Sequence, residues 1–379
     1  MKNNLAFFLF TVIPVFSITN VTLFVPLWSQ QIYYGLLAVI LAYLVIIFRV
    51  NKVNVFSITL LLATASSLIF NATPERFNST FRWLGWVLVV CSLGPMFSSL
   101  AFEKFRKRSI GWVFVLCSVV GVGSCLWYIL GLPNLGRGHF SGLTHHSMIL
   151  GPIASIGVLY LLSRVFKKKN RLSTIIPLVA CFVAVLLAAS RVSLVGCIFS
   201  SFILLFCNFR KKIKKNHLLP LSFLAFLFSF VISGEMLLSL HTKGMENSRE
   251  GYWADRLEEF KTSPVVGIGF ATVSPGSNGD GDGDDGGIEP GTSWLAILSM
   301  TGVIGFSSFI ALIYSSLTKL KKESSGFISS DSSLYLSVVI FFLICFFAEG
   351  YVFASGSMLG MIFWLLLGRI FDYNTTNKK

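Results

Sequence analysis

Long apolar runs, broken only by short polar stretches, recur along almost the whole chain, and they exclude a soluble globular fold. At 1.5 Å rise per residue, about 20 apolar residues carry a helix across the hydrocarbon of a bilayer. Twelve such spans are read: 5–19, 32–48, 55–70, 83–102, 110–130, 147–166, 173–189, 192–209, 218–240, 292–317, 333–352 and 355–371. Composition agrees, with 54% hydrophobic residues, 37 Phe, 13% charged residues and a mean hydropathy of +0.75. The class is all-α: a polytopic membrane protein in one integral domain, Met1 to Lys379.

The basic residues set the topology, because Lys and Arg accumulate in short cytoplasmic loops. With a cytoplasmic start, 23 of the 31 lie inside. The other eight, Arg76, Arg82, Arg137, Arg191, Lys243, Arg249, Arg256 and Lys261, lie outside. An even number of spans returns the C-terminus to the cytoplasm. The net charge of +14 is spread over short loops between spans, where topology and lipid head groups account for it, so nucleic acid is not an expected partner. The start, "MKNNLAFFLFTVIPVFSIT", has the look of a signal peptide but no small-x-small cleavage site, and a retained first span is expected. All seven cysteines fall within spans without metal-ligand spacing, as small apolar residues would.

Ionisable residues within spans are costly and mark function. Arg191, Glu235 and Glu349 are placed at the outer ends of spans, close to a long periplasmic loop from His241 to Gly291. A transporter would place such groups at the midplane of two related halves, and no internal repeat is evident. The loop opens with "SREGYWADRLEEFKTSPVVGIGF", read as an amphipathic helix over about 247–262. Trp253, Leu257 and Phe260 form its apolar stripe, with Arg249 and Arg256 beside it; Pro264 ends it. Two guanidinium groups at that depth suit either a lipid-linked diphosphate or simple interfacial anchoring.

The same string, followed by "TSWLAILSMTGVIGF", resembles the loop and next span of the O-antigen ligase and O-antigen polymerase (Wzy) superfamily. So do "LAASRVSLVG" and "GRGHFSGLTHHSMILGP", which extend the likeness from Arg137 to Ile310. Ligases of that family carry a His just before the span that here begins "GTSWL", where this chain has Gly291 and Thr292. The resemblance implies a GT-C-like membrane glycosyltransferase that moves a glycan from undecaprenyl diphosphate to an acceptor hydroxyl at the outer face of the inner membrane. Its partners would be that lipid-linked donor and acceptor, membrane lipid and a chain-length regulator protein.

On this basis Arg191 and Arg249 are expected to stabilise the departing diphosphate, while Glu349 or His146 serves the acceptor hydroxyl. Arg256, Arg137, His145 and Trp253 are expected to bind substrate, and His145 and Glu289 are further candidates for the base. The missing His favours polymerase over ligase; a lipid-linked oligosaccharide flippase is the reading from another class. No cofactor is required. The insertion at 277–289 contains "NGDGDGDDGGIE", with oxygen donors in EF-hand spacing, so Asp280, Asp282 and Glu289 are candidate Ca²⁺ ligands; a flexible acidic loop has the same composition.

Overall fold

The computed structural model describes residues 2–23, 30–47, 50–70, 77–136, 139–165, 172–209, 249–280, 288–289, 291–322 and 330–372. The expected span 218–240, with Glu235, and the candidates Arg137 and Asp282 lie outside these residues. Among the described residues the chain is almost entirely helical. The helices are α1 (Lys2–Thr19), α2 (Gln30–Ile47), α3 (Val55–Ile69), α4 (Ser79–Ser92), α5 (Leu100–Ile129), α6 (Ser147–Val165), α7 (Leu172–Leu187) and α8 (Arg191–Phe209). They continue as α9 (Glu250–Thr262), α10 (Ser293–Lys322), α11 (Ser330–Cys345) and α12 (Met358–Asp372). A small sheet pairs β1 (Lys52–Val53) with β2 (Phe97–Ser98), antiparallel.

Among the described residues four helices, Leu100–Ile129, Ser147–Val165, Arg191–Asn208 and Ser293–Leu320, are long and apolar enough to cross a membrane. Gln31–Ile46, Val55–Ile69, Ser173–Leu187 and Asp331–Cys345 are apolar but shorter. The protein is a polytopic membrane protein.

The chain forms two compact units. The first comprises Met1–Trp28, Arg108–Glu246 and Leu320–Cys345. Its centre is α6, buried around nearly its whole circumference, as expected of a helix that is apolar on every side. Small residues let neighbours approach it: a Cβ on Gly151 would meet Ser193 Oγ at 2.9 Å, and one on Gly157 would meet the Ser118 Cα at 3.1 Å. Cys181 and Cys197 pack into this core as small apolar residues.

The second unit comprises Ser29–Lys107, Asn247–Lys319 and Phe346–Lys379. Trp86 of α4 is fully buried there, 5.5 Å from the rings of Phe270 and Phe353 and 5.6 Å from Trp364. Its indole donates to the Val352 carbonyl.

Three sequence expectations need correction in this unit. The span 83–102 is not one helix: α4 stops at Ser92, and β2 intervenes before α5 begins at Leu100. The basic cluster Lys104–Arg108 therefore sits inside α5 rather than in a loop. Arg106 is fully buried, bonded to Asp372 at 2.9 Å and to the Leu93 carbonyl, while Ser98 also donates to Asp372. Helix stands where the loop was expected, and its Arg106 is paired with the buried Asp372 at the end of α12.

The span 292–317 is interrupted. Gly302 has φ 62° and ψ −170°, which breaks α10. The turn after α9 docks at this break: Val303 N–H donates to the Pro264 carbonyl, and Ile268 N–H to that of Ser299. Ser67 of α3 donates to the Met300 carbonyl. A break at this depth is tolerable because protein groups satisfy the freed backbone. Finally, α11 ends at Cys345, so Glu349 lies in the non-helical segment 346–357 and not within a span.

Candidate functional site

Arg249 stands at the N-cap of α9 and is held by partners on both sides. Its Nη1 donates to the Gly291 carbonyl at 2.8 Å, and its Nη2 lies 3.3 Å from Glu349 Oε1. The side chains are 24% and 18% exposed, so solvent still reaches both. Gly291 makes this possible: its φ is 67°, and a Cβ there would come within 2.6 Å of the Tyr252 Cβ. Any other residue would strain the segment that aims the carbonyl at Arg249.

Burial pushes the Glu349 carboxyl up to about 7, and the positive charge of Arg249 opposes that shift. The loop carrying Glu349 is tied to the start of α10. Ser293 N–H donates to the carbonyls of Phe346 and Glu349, its hydroxyl bonds the latter at 2.6 Å, and the Thr292 hydroxyl bonds the former. Thr292 and Ser293 thus bond directly to the backbone of Phe346 and Glu349.

Arg256 has a different place from the one expected. It is 1% exposed and lies 2.9 Å from Glu259, itself buried, whose Oε1 accepts from Ser274 N–H at 2.7 Å. Arg256 Nη1 also donates weakly to the Thr272 carbonyl and Ser299 hydroxyl. Burial lowers its pKa, a shift that the charges of Glu259 and Asp255 oppose. The pair fastens α9 to the segment behind it, so the face bearing Arg256 and Glu259 is turned inward, while Glu250, Glu258 and Lys261 stay exposed. Its apolar stripe is outward: Trp253 and Leu257 are 39% and 44% exposed. The two guanidinium groups that the sequence reading placed together beside the apolar stripe are separated, one accessible and one sealed.

At the base of the acidic insertion, Asp280 forms a bridge with Ile288, and Glu289 N–H donates to the Gly279 carbonyl. Asp280 accepts from Gly276 N–H, and Glu289 accepts from the Tyr252 hydroxyl at 3.4 Å. No group of three His, Cys, Asp or Glu among the described residues is placed to hold a metal ion.

The remaining candidates belong to the first unit. Arg191 is exposed at the first position of α8, where a cation opposes the helix dipole, so helix formation does not explain it. The preceding turn has Ala189 at φ 50° and Ser190 capping toward Ser193. His146 Nδ1 accepts from Met148 N–H at 3.0 Å and so caps α6, a structural use of that ring nitrogen. His145 is half-buried, and its Nε2 is buried without a hydrogen-bond partner.

A family model described as O-antigen ligase matches residues 176–310. Over this stretch the chain is similar to the O-antigen polymerase and ligase superfamily. The match takes in Arg191, Arg249, Trp253 and Arg256 and stops short of Glu349 and the two histidines. No curated protein matches the chain.

A feature of the second unit that the sequence did not single out is a pocket of about 310 Å³ beside this superfamily segment. Arg82 and Tyr34 line it together with Ser293 of α10 and the loop residues Gly350 and Val352 to Ser357. The only available signal was that Arg82 is one of eight basic residues on the expected outer side.

Proposed function

We propose that this chain is a membrane glycosyltransferase that polymerises undecaprenyl-diphosphate-linked oligosaccharide units at the periplasmic face of the bacterial inner membrane. The observation that carries this reading is the Arg249–Glu349 pair: a semi-exposed guanidinium against a carboxyl whose pKa lies near 7. A base with such a pKa is ionised in a useful fraction at neutral pH and still takes a proton readily. In the proposed step Glu349 accepts the proton of the acceptor hydroxyl as its oxygen attacks the anomeric carbon. The bond to the diphosphate oxygen breaks, and undecaprenyl diphosphate departs with the electron pair. Arg249 stabilises the charge that builds on the leaving group, a contact worth more in the transition state than before it.

Glu349 thereby supplies the base where related ligases use the His that is absent from Gly291 and Thr292. Arg256 acts by positioning α9, and Trp253 by resting its exposed ring in the interface. Arg191 remains a proposed donor-binding residue on its sequence position alone, as does a weak Ca²⁺ site at the 278–289 loop.

The second reading is ligation of the finished glycan to lipid A core, favoured by the description of the matched family model. Deletion in the native host separates them. Loss of a polymerase leaves single repeat units on the lipid core; loss of a ligase leaves the core bare. Repeat units trapped on the cytoplasmic leaflet would instead indicate a flippase and overturn both.

A further inference from the structure

Arg249 must point in a fixed direction to serve a transition state, and α9 alone does not give it one. It stands at the N-cap without a side-chain capping bond, so its aim comes from the Gly291 carbonyl at 2.8 Å and from Glu349. Gly291 lies in non-helical chain and has to be held in its turn. Tyr252 is placed to hold it. Three residues after Arg249, it shares that side of α9, and its side chain runs along Gly291: a Cβ there would meet the Tyr252 Cβ at 2.6 Å, Cγ at 3.2 Å and Cδ1 at 3.7 Å. At the other end of the ring the hydroxyl donates to Glu289 Oε2 at 3.4 Å. One side chain therefore touches Gly291 at its base and Glu289 at its tip. The tip contact is long and exposed, so the ring does most of the holding.

The partners of Tyr252 are themselves moored. Glu289 N–H donates to the Gly279 carbonyl, and Asp280 bridges to Ile288, so the two chain segments at the base of the acidic insertion are fastened to each other. Asn278 ties that base to α9, donating to Asp255 Oδ2 from its backbone at 2.7 Å and from its side chain at 2.8 Å. Gly251 leaves room for this contact, since a Cβ there would come within 2.8 Å of Asn278 Nδ2. α9 is thus clasped at two points near its start, at Asp255 by Asn278 and at Tyr252 by Glu289 and Gly291. We propose that Tyr252 is a positioning residue of the transfer site: its ring braces Gly291 so that the Gly291 carbonyl and Glu349 grip the Arg249 guanidinium together. The consequence for rate rests on the glycan-transfer reading; the brace itself does not.

Two readouts on the purified full-length protein test it: transfer from undecaprenyl-diphosphate-linked repeat units, and the reactivity of Arg249 toward phenylglyoxal, mapped by mass spectrometry. Tyr252→Ala should lower kcat roughly tenfold to a hundredfold with KM little changed, the cost of a misplaced catalytic contact. Tyr252→Phe keeps the ring and loses a weak hydroxyl bond, so it should stay within about threefold of wild type. In an Arg249→Gln background Tyr252→Ala should cost less than about twofold further, because the residue it positions is gone. Costs that multiply would make Tyr252 act independently of Arg249 and overturn the proposal, as would Tyr252→Phe losing as much as Tyr252→Ala. The reactivity of Arg249 should rise several-fold in Tyr252→Ala and not in Tyr252→Phe, with the exposed Arg191 unchanged in both. An Arg249 no more reactive than in wild type rejects the brace whatever the rates. Should Tyr252→Ala fail to fold, Tyr252→Leu, which also lacks the ring, takes its place in every comparison with the same outcomes. Raised Arg249 reactivity in a protein that transfers nothing would defeat the polymerase reading and leave the brace standing.

Discussion

At the scale of single residues, Arg249 and Glu349 are expected to behave as a coupled pair. Arg249→Lys keeps the charge but loses the planar fork that engages Gly291 and Glu349 together. Losing one preorganised contact costs about 2–4 kcal/mol in the transition state, or roughly 30- to 1,000-fold in rate. Long glycan chains should therefore disappear while the protein level stays normal; a normal ladder would reduce Arg249 to an interfacial anchor.

The pH dependence has a definite sign. Glu349 must be ionised to act, so transfer by the purified enzyme should fall as pH drops below about 7. Removing Arg249 takes away the charge that holds this pKa down, so in Arg249→Gln the acidic limb should move to higher pH. For stability the direction is reversed. A carboxyl with a raised folded-state pKa favours the fold most at low pH, and that contribution is lost as pH rises through about 7. Glu349→Gln should thus abolish transfer and flatten the melting profile between about pH 4.5 and 7; a profile identical to wild type would show that Glu349 is not buried as described.

At the scale of elements, the decisive feature is the turn after α9 lodged in the break of α10. A Cβ on Gly302 would run into the Val265 carbonyl, and its φ of 62° already disfavours a side chain. Gly302→Ala is expected to cost about 1–3 kcal/mol from backbone strain alone, before any clash. Thermal melting in detergent should show this, with transfer lost because the Arg249 end of α9 is displaced. Gly111→Ala is the control: its Cβ would meet nothing within 4 Å, and a helical position gains slightly from Ala. Equal melting of the two variants would mean that the docked turn does not hold α10. The amphipathic stripe of α9 was legible as a 3.6-residue period, but which face points inward was not. The Arg256–Glu259 pair decided that, because two charges that satisfy each other can be buried where a lone guanidinium cannot.

At the scale of the whole molecule, reporters at Lys168, Lys212 and Lys321 are predicted to map to the cytoplasm and those at Gly138 and Gly276 to the periplasm. Lys212 and Gly276 on the same side would remove the proposed site from the outer face. The buried Arg106–Asp372 pair makes a separate test, since removing one partner of such a pair costs about 3–5 kcal/mol. Asp372→Ala should accordingly destabilise far more than Arg106→Met combined with Asp372→Leu, and denaturation of the two proteins compares them directly.

The sequence by itself determined the class, since uninterrupted apolar runs have no stable place except a bilayer or a buried bundle. It also carried the likeness to the O-antigen polymerase and ligase superfamily, through motifs such as "SREGYWADRLEEFKTSPVVGIGF" whose local chemistry survives without knowledge of the fold. Only the tertiary structure decided that Arg106 is an interior ion-pair partner, that Gly302 breaks a span, and that Arg249 meets a carboxylate 100 residues away. The physical reason is one of range. Hydropathy and helix periodicity act between neighbours in sequence, whereas burial and partner choice for a charge depend on groups brought together by folding.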